Sequence, residues 1–479
     1  MVQRICFLVA SVIFASTMQA PLAVAQDKDE ILNFIDARYE STAKLARTLW
    51  EFAEVGYQET RSSALLQETL LGEGFAIEAG VASIPTAFVA TYGTGGPVIA
   101  ILAEFDALPG INQDAVSSRL PIDGKSAGHA CGHNLFGAGS TSAVIAIKHW
   151  LEQSGTPGTI RLYGTPAEEG GSGKVYMVRA GLFDDVDIAL HWHASDRNSA
   201  QARTTLANRS AKFRFNGISA HAAGAPEKAR SALDGVEAFN NMMNLMREHV
   251  PQETRIHYVI TAGGNAPNVV PDFAEVYYYL RHPEASVVQE IWKRLEAAAE
   301  GAAMGTGTVV AREIIHGNHP VLVNEVLARM MDQKLRSVGG VSYNEYEQAF
   351  AEEIFATLDR PERMLGSQEE IQPFSIDLSY GSTDVGDVSM TVPTVGLNTA
   401  TWVPGTSAHS WQSAAASGMT IGYKGAQVAA KTLSLAAIEL FENETLRAAA
   451  VAEFDERRGE DFEYEALLGD RQPPLDYRN

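Results

Sequence analysis

The sequence predicts an α/β protein, a sheet packed between helices and interrupted by a smaller α+β unit, and three observations carry that expectation. Short apolar runs at 98–102, 160–163 and 186–190 are flanked by turn residues, with an Ala- and Ile-rich helical stretch at 137–153 between the first two. From about 208 to 317 the texture changes to a β-α-β-β-α-β order, the ferredoxin-like split arrangement. After 317 an apolar run at 392–397 and a closing Ala-rich helical stretch return to the first pattern, so the middle unit reads as an insertion.

Taken in order, the chain starts with basic Met1-Val2-Gln3-Arg4, an apolar stretch from 5 to 18, and a small-residue pattern Ala23-Val24-Ala25 before polar Gln26-Asp27-Lys28. This is the layout of a secretory signal peptide over 1–25. Its apolar part is shorter than the ~20 residues a membrane span needs, and no later segment is long and apolar enough. Cys6 lies too early, and in the wrong setting, for a lipoprotein cleavage site. The expectation is an exported chain without a membrane span, periplasmic where the host has an outer membrane. Removing 25 of 479 residues leaves 454, more than a usual single domain, and takes the net charge from −22 to −23 with the loss of Arg4. Such an acidic chain argues against nucleic acid or anionic membrane as partner, and leaves room for an anionic substrate met by a local positive field.

Helical spacing runs from 31 to 55, with Leu45, Leu49, Phe52 and Val55 in its later turns, and again at 63–72. Asp106 then follows the first strand, Glu168 and Glu169 the second, and His191 and His193 the third. Ligands of open α/β sheets collect at the carboxyl ends of strands, and all three ends carry metal-competent side chains. Catalytic segments at 26–207 and 318–442 therefore flank the insertion at 208–317. Within the insertion, the stripe Leu233, Val236, Phe239, Met243 and Met246 reads as core. A charged tail at 443–479 is expected to pack weakly, at least towards Pro473-Pro474.

The chemistry lies in three motifs. Cys131-Gly132-His133 precedes Glu168-Glu169, and His191-Trp192-His193 follows. A Glu-Glu pair before two glycines is ordinarily a solvated loop. Thiolate and imidazole nearby change that reading, because with a carboxylate they bind divalent ions, while a second carboxylate outside the coordination sphere can take a proton from water. Neighbouring side chains on an extended backbone point apart, so the two glutamates can divide these roles. The mature chain has one thiol, Cys131, which rules out an internal disulfide; in an oxidising compartment it needs burial or ligation, and His129 and His133 beside it favour ligation.

The order His129-Ala130-Cys131-Gly132-His133-Asn134, Pro166-Ala167-Glu168-Glu169-Gly170, a third His, an inserted Gly217-x-x-Ala220-His221 and a late Ala408-His409-Ser410 resembles the M20 metallopeptidase and amidohydrolase family. The resemblance spans about 31 to 454 and is strongest to the branch of auxin-conjugate hydrolases and aminoacylases. Ser382-Thr383-Asp384-Val385-Gly386-Asp387 narrows it towards hydrolases of aroyl-amino acids.

That resemblance implies a mixed-sheet, zinc-peptidase-like catalytic domain with an inserted lid and dimerisation domain. Cys131, His133, Glu169, His193 and His409 fall on ligand positions for two divalent ions, manganese or zinc, with His191 competing with His193. Glu168 takes the general-base position, and Asp106 matches the aspartate that orients the site. His221 matches a histidine that reaches a neighbouring subunit, which implies a homodimer. Asn268 and Arg281 match substrate-facing positions, Arg281 suited to hold a carboxylate through paired hydrogen bonds; its ordinary alternative is a surface ion pair. One departure stands out: Glu104 replaces the His of the wider family's His-x-Asp motif.

The implied reaction is hydrolysis of the amide of N-aroyl or N-acyl amino acids, p-aminobenzoyl-glutamate-like conjugates first among them. The same machinery suits a broader N-acyl-amino-acid amidohydrolase or carboxypeptidase. A rival of another class is a periplasmic binding protein on the same fold without catalysis, against which the intact Glu168 and ligand set count. The need for a second, different partner chain is left open.

Overall fold

The computed structural model describes residues 20–478. Residues 1–19, most of the expected leader, lie outside the described residues, and the helix Ala20–Ala37 runs through the expected cleavage point. Among the described residues no helix is long and apolar enough to cross a membrane.

The central sheet has seven strands in the order Ala76–Ala79, Phe88–Thr94, Gly158–Gly164, Val98–Ala103, Ile188–Ser195, Thr394–Ala400 and Ser199–Gln201. Its middle four strands are parallel and its flanks antiparallel, so the sheet is mixed. Parallel strands are covered on both faces, which explains why Val98-Ile-Ala-Ile-Leu-Ala103 is apolar without alternation. The helices His133–Ser154 and Thr420–Glu442 pack on the sheet and on each other, both almost wholly buried.

Three boundaries differ from the sequence expectation. The first helical stretch is two helices, Ala20–Ala37 and Tyr39–Phe52, meeting at Arg38. The strand expected at 186–190 starts later and continues to Ser195, because its histidines are polar but buried or half-buried and so break the apolar run without breaking the strand. The helix expected from 137 begins at His133, directly after Gly132, whose φ of 76° turns the chain sharply. A side chain at Gly132 would meet the Ala194 Cβ at 2.4 Å, so only glycine allows Cys131 and the third strand to come this close.

The insertion forms its own antiparallel sheet in the order Arg255–Ala262, Phe273–His282, Ala207–Asn216 and Val309–Asn318. The helices Ala232–Met246 and Ala285–Thr306 pack on it over a separate core of Phe213, Phe239, Tyr278 and Trp292. Val236, Phe239 and Met243 are buried in that core, as their spacing predicts.

The expectation of a weakly packed tail is overturned. Leu467 joins the core of the insertion while Ala466 and Leu468 join that of the catalytic sheet. Tyr464 donates to Asp387 Oδ1 at 2.7 Å, Arg471 donates to the carbonyls of Ile314 and Ile315, and Gln58 donates to the Leu475 carbonyl at 2.8 Å. A charged composition hides this, because three consecutive apolar residues suffice to anchor the strap.

Candidate active site

At the carboxyl ends of the parallel strands lies a cavity of ≈ 290 Å³ lined by residues of the catalytic segments only. The strand Val98–Ala103 runs straight into Glu104 and Asp106, both buried. The strand Gly158–Gly164 leads into the Glu168-Glu169 loop, held by left-handed backbone at Ala167 (φ 58°) and Ser172 (φ 59°). His409 is left-handed too (φ 59°), and such conformations in non-glycine residues persist where surrounding contacts over-determine them. Those contacts are present: Glu59 accepts from the Ala167 amide at 2.9 Å, Tyr57 donates to the Gly171 carbonyl at 2.7 Å, and from the tail Tyr477 (3.1 Å) and Arg478 both donate to the Glu169 carbonyl.

Two groups of possible metal ligands share one residue. Cys131, His133 and His193 form the first, and Cys131, Glu169 and His409 the second, each group's ligand atoms lying within 4.8 Å of one another. Cys131 Sγ stands 3.6 Å from His193 Nε2, and His409 Nε2 stands 3.1 Å from Glu169 Oε1. His133 Nδ1 pairs with Asp106 Oδ1 at 2.8 Å, while Asp106 Oδ2 accepts from the Glu169 amide at 2.9 Å. One carboxylate thus orients a histidine and a glutamate together, the outer-shell arrangement usual behind metal-binding imidazoles.

The donor set fits a dinuclear centre on the structure's own terms. His133 Nε2 faces Glu104 Oε2 at 3.0 Å, and neither of these buried atoms, nor Glu169 Oε1 beside His409 Nε2, makes an aligned hydrogen bond among the described residues. Buried polar atoms in native proteins are normally satisfied, so three converging orphans beside a thiol mark a place built for cations. A thiol between two groups of nitrogen and oxygen donors can serve both ions. A third group, Glu104, His133 and Glu168, adjoins them.

Behind the cavity, Lys174 is completely buried and bonds Glu104 Oε1 and Asp384 Oδ1, each at 2.7 Å. Burial pushes the Asp384 carboxyl up to about 6 against the pull of Lys174; for Glu104 burial also acts upward, but Lys174 and His133 bring it below the usual range. Among the described residues Glu168 makes no ion pair within 4.0 Å, although Lys174 and His133 act on it at longer range. Burial, with Glu104 and Glu169 nearby, raises its carboxyl well above the ordinary value. Bound cations act in the opposite direction.

Of the residues expected at the site, Asp106, Cys131, His133, Glu168, Glu169, His193 and His409 are brought together. His191 lines the cavity but belongs to none of the ligand groups; its ring packs against Gly396. His129, despite flanking Cys131, has Nε2 3.1 Å from the Leu49 carbonyl, and burial lowers its pKa to about 3. His221, Asn268 and Arg281 do not line the cavity. His221 is exposed, its Nδ1 accepting from the amides of Ala223 and Gly224, and Asn268 is exposed beside it, its carbonyl accepting from Ala222. Arg281 is half-buried over the Tyr279 ring.

Sequence reasoning missed Lys174, the role of Asp384 and the cavity residue Arg203. Asp384 stood in a noticed Ser-Thr-Asp motif, whereas a lone lysine in a short helix and a lone arginine carry no local signal.

Comparison with known proteins agrees with this geometry. The sequence profile described as Peptidase family M20/M25/M40 matches residues 100–433. The chain is 40% identical over 443 residues to the B subunit of p-aminobenzoyl-glutamate hydrolase from Escherichia coli (strain K12), covering 86% of this chain and 92% of that protein. It is also 32% identical over 246 residues to the A subunit of the same organism's hydrolase, covering 48% of this chain and 55% of that one. Among solved structures, a dinuclear metal binding peptidase of the M20 family from Bacillus subtilis superposes with a TM-score of 0.58 at 18% identity, covering 85% of this chain and 99% of that one, a likeness of fold.

Proposed function

The chain belongs to Peptidase family M20/M25/M40, metal-dependent hydrolases of amide bonds, and from that premise we propose that it releases amino acids from N-aroyl or N-acyl conjugates, p-aminobenzoyl-glutamate-like compounds above all. The observation that carries the reading is the placement of Glu168, a carboxylate outside any close ion pair among the described residues, beside two ligand groups that share Cys131.

Cys131, His133 and His193 would hold one ion and Cys131, Glu169 and His409 the other; two divalent ions there, manganese or zinc, would supply Lewis acidity and lower the pKa of water. Glu168 accepts the proton of the attacking water and delivers it to the leaving amine nitrogen as the C–N bond breaks, giving a carboxylic acid and a free amino acid. Asp106 holds His133 in one tautomer and the Glu169 backbone in place. Lys174 offsets part of the charge of Glu104 and Asp384 and holds both carboxylates in place behind the cavity. His221 of a neighbouring protomer donates to that oxygen. Asn268 and Arg281 engage the substrate, Arg281 through its carboxylate.

This reading implies a homodimer. The relatives in Escherichia coli are two separately named polypeptides of one hydrolase, so a second, different chain is also a candidate partner here. Export and a periplasmic location complete the proposal.

The decisive assay is turnover of p-aminobenzoyl-glutamate, hippurate and N-acetyl amino acids by protein loaded with manganese, zinc or cobalt. Preference for aroyl-glutamate supports the proposal, and a flat profile points to the broader amidohydrolase. No turnover of any conjugate, with two ions bound, overturns it in favour of a binding protein.

A further inference from the structure

The cavity belongs to a chain of net charge −22, and its lining includes Glu104, Glu168 and Glu169. Among the described residues of that lining, Arg203 alone carries a fixed positive charge. Other cations nearby are engaged: Arg197 bonds Asp196 at 2.8 Å, Arg363 reaches Asp196 at 3.4 Å and Gln372 at 2.9 Å, and Lys174 is held by Glu104 and Asp384. Among the described residues the Arg203 side chain makes no hydrogen bond and no ion pair within 4.0 Å; Asp377 and Asp196 act on it only at longer range. Its register partner Asp377, across the short parallel pair Arg203–Thr204 with Asp377–Leu378, is exposed and accepts instead from Ser375 at 2.6 Å.

The backbone around this arginine is pinned. The Ser379 amide donates to the Thr204 carbonyl at 2.8 Å, the Leu206 amide to the Gly381 carbonyl at 3.0 Å, and the Asp377 amide to the Ala202 carbonyl at 3.2 Å. The segment 377–381 therefore lines up beside 202–206 as one wall, and next to it Ser382 Oγ is buried, unpartnered and part of the same lining. The half-buried guanidinium gives up hydration, and although Asp377 and Asp196 act on it at longer range, burial and the neighbouring Arg197 and Arg363 outweigh them. Such an arrangement is costly unless a ligand returns the interaction, and the planar fork of arginine matches a carboxylate.

We propose that Arg203, with Ser382 of the same lining, binds the side-chain carboxylate of the substrate's amino-acid portion, making the enzyme selective for conjugates of acidic amino acids. The inference rests on the amidohydrolase reading above, in which Arg281 serves the α-carboxylate that all such substrates share. Arg203 then supplies what distinguishes a glutamate conjugate from its neutral isostere. An acidic side chain that enters this wall without Arg203 loses hydration and recovers no charge-assisted hydrogen bond there.

The test compares p-aminobenzoyl-glutamate with p-aminobenzoyl-glutamine in the wild-type holoenzyme and in Arg203→Gln. In the wild type the glutamate conjugate is preferred in kcat/KM. In the variant that preference falls ~10- to 100-fold, as expected for a charge-assisted hydrogen-bonded pair, while kcat/KM for the glutamine conjugate changes less than about threefold, which also shows that the variant is folded and metallated. Calorimetric binding of N-benzylglutamate and N-benzylglutamine, amines with no scissile carbonyl, reads the same pair without turnover. Arg203→Gln is expected to weaken only the first. Equal losses on both compounds assign Arg203 to the shared α-carboxylate or to structure and overturn the proposal, as does no loss on either. If the wild type hydrolyses neither conjugate but binds N-benzylglutamate through Arg203, the amidohydrolase reading fails while the carboxylate site stands.

Discussion

The two sheets of this molecule treat the histidines singled out by the sequence in opposite ways. In the catalytic sheet, His133 is buried with Nδ1 committed to Asp106 and Nε2 directed at the ligand cluster, and His193 is 3.6 Å from the thiol. In the inserted sheet, His221 is exposed and satisfied only by amides of its own loop. The difference teaches where each chemistry is assembled. Parallel strands bring several chain segments to one edge, so the candidate ligand set converges within one chain. The insertion has a separate core and presents His221 and Asn268 outward, a geometry suited to meeting something beyond its own cavity.

Removing the residue that both ligand groups share is the strongest way to break the comparison. Cys131→Ala is expected to lose both ions and all measurable activity, whereas His193→Ala and His409→Ala each lose one. Elemental analysis of the purified variants reads the stoichiometry directly, and two ions retained without Cys131 would remove it from the ligand set. Next in size, Glu168→Gln should keep its ions and lose turnover by ~10²- to 10⁴-fold, the usual contribution of a general base.

That variant also tests the exposed histidine. His221→Ala alone should be nearly inactive, and mixing it with Glu168→Gln should restore activity up to one working site per mixed dimer. If mass spectrometry verifies exchange of protomers and activity stays at the level of the parents, His221 acts within its own chain or is structural, and the contrast between the two sheets loses its functional meaning.

A stability measurement sharpens the buried side of the contrast. Lys174→Met leaves Glu104 and Asp384 facing each other without their cation, and breaking one side of a buried ionic cluster typically costs about 3–5 kcal/mol. The denaturant midpoint of metal-free protein should fall accordingly; an unchanged midpoint would mean the carboxylates are neutral in the folded protein. The smallest expected effect is at the tail. Arg478→Ala removes one donor to the Glu169 carbonyl and is expected to lower kcat by roughly 2- to 10-fold with metal content unchanged, in line with the loss of one hydrogen bond.

Most of the candidate ligand cluster was legible because its members stand in short motifs next to strands. Cys131 and His133 are two residues apart, Glu168 and Glu169 adjacent, and strand ends in a parallel sheet converge by the architecture alone. The alternation of strands and helices and the β-α-β-β-α-β insertion were legible from apolar periodicity for the same local reason. His129 shows the limit: it is as near to Cys131 in sequence as His133, yet its ring turns to Leu49.

What the tertiary structure alone decided are the pairings across long stretches of chain. Lys174 meets Asp384 over a separation of 210 residues, Tyr477 and Arg478 meet Glu169 over 308 and 309, and Arg203 is placed by a two-residue ladder with 377–378. A lysine, an arginine and a charged tail look like solvated surface in a one-dimensional reading, because their polarity is visible there and their burial is not. Burial comes from the packing of remote segments, and it is burial that turns these charges from surface decoration into the electrostatics of the site.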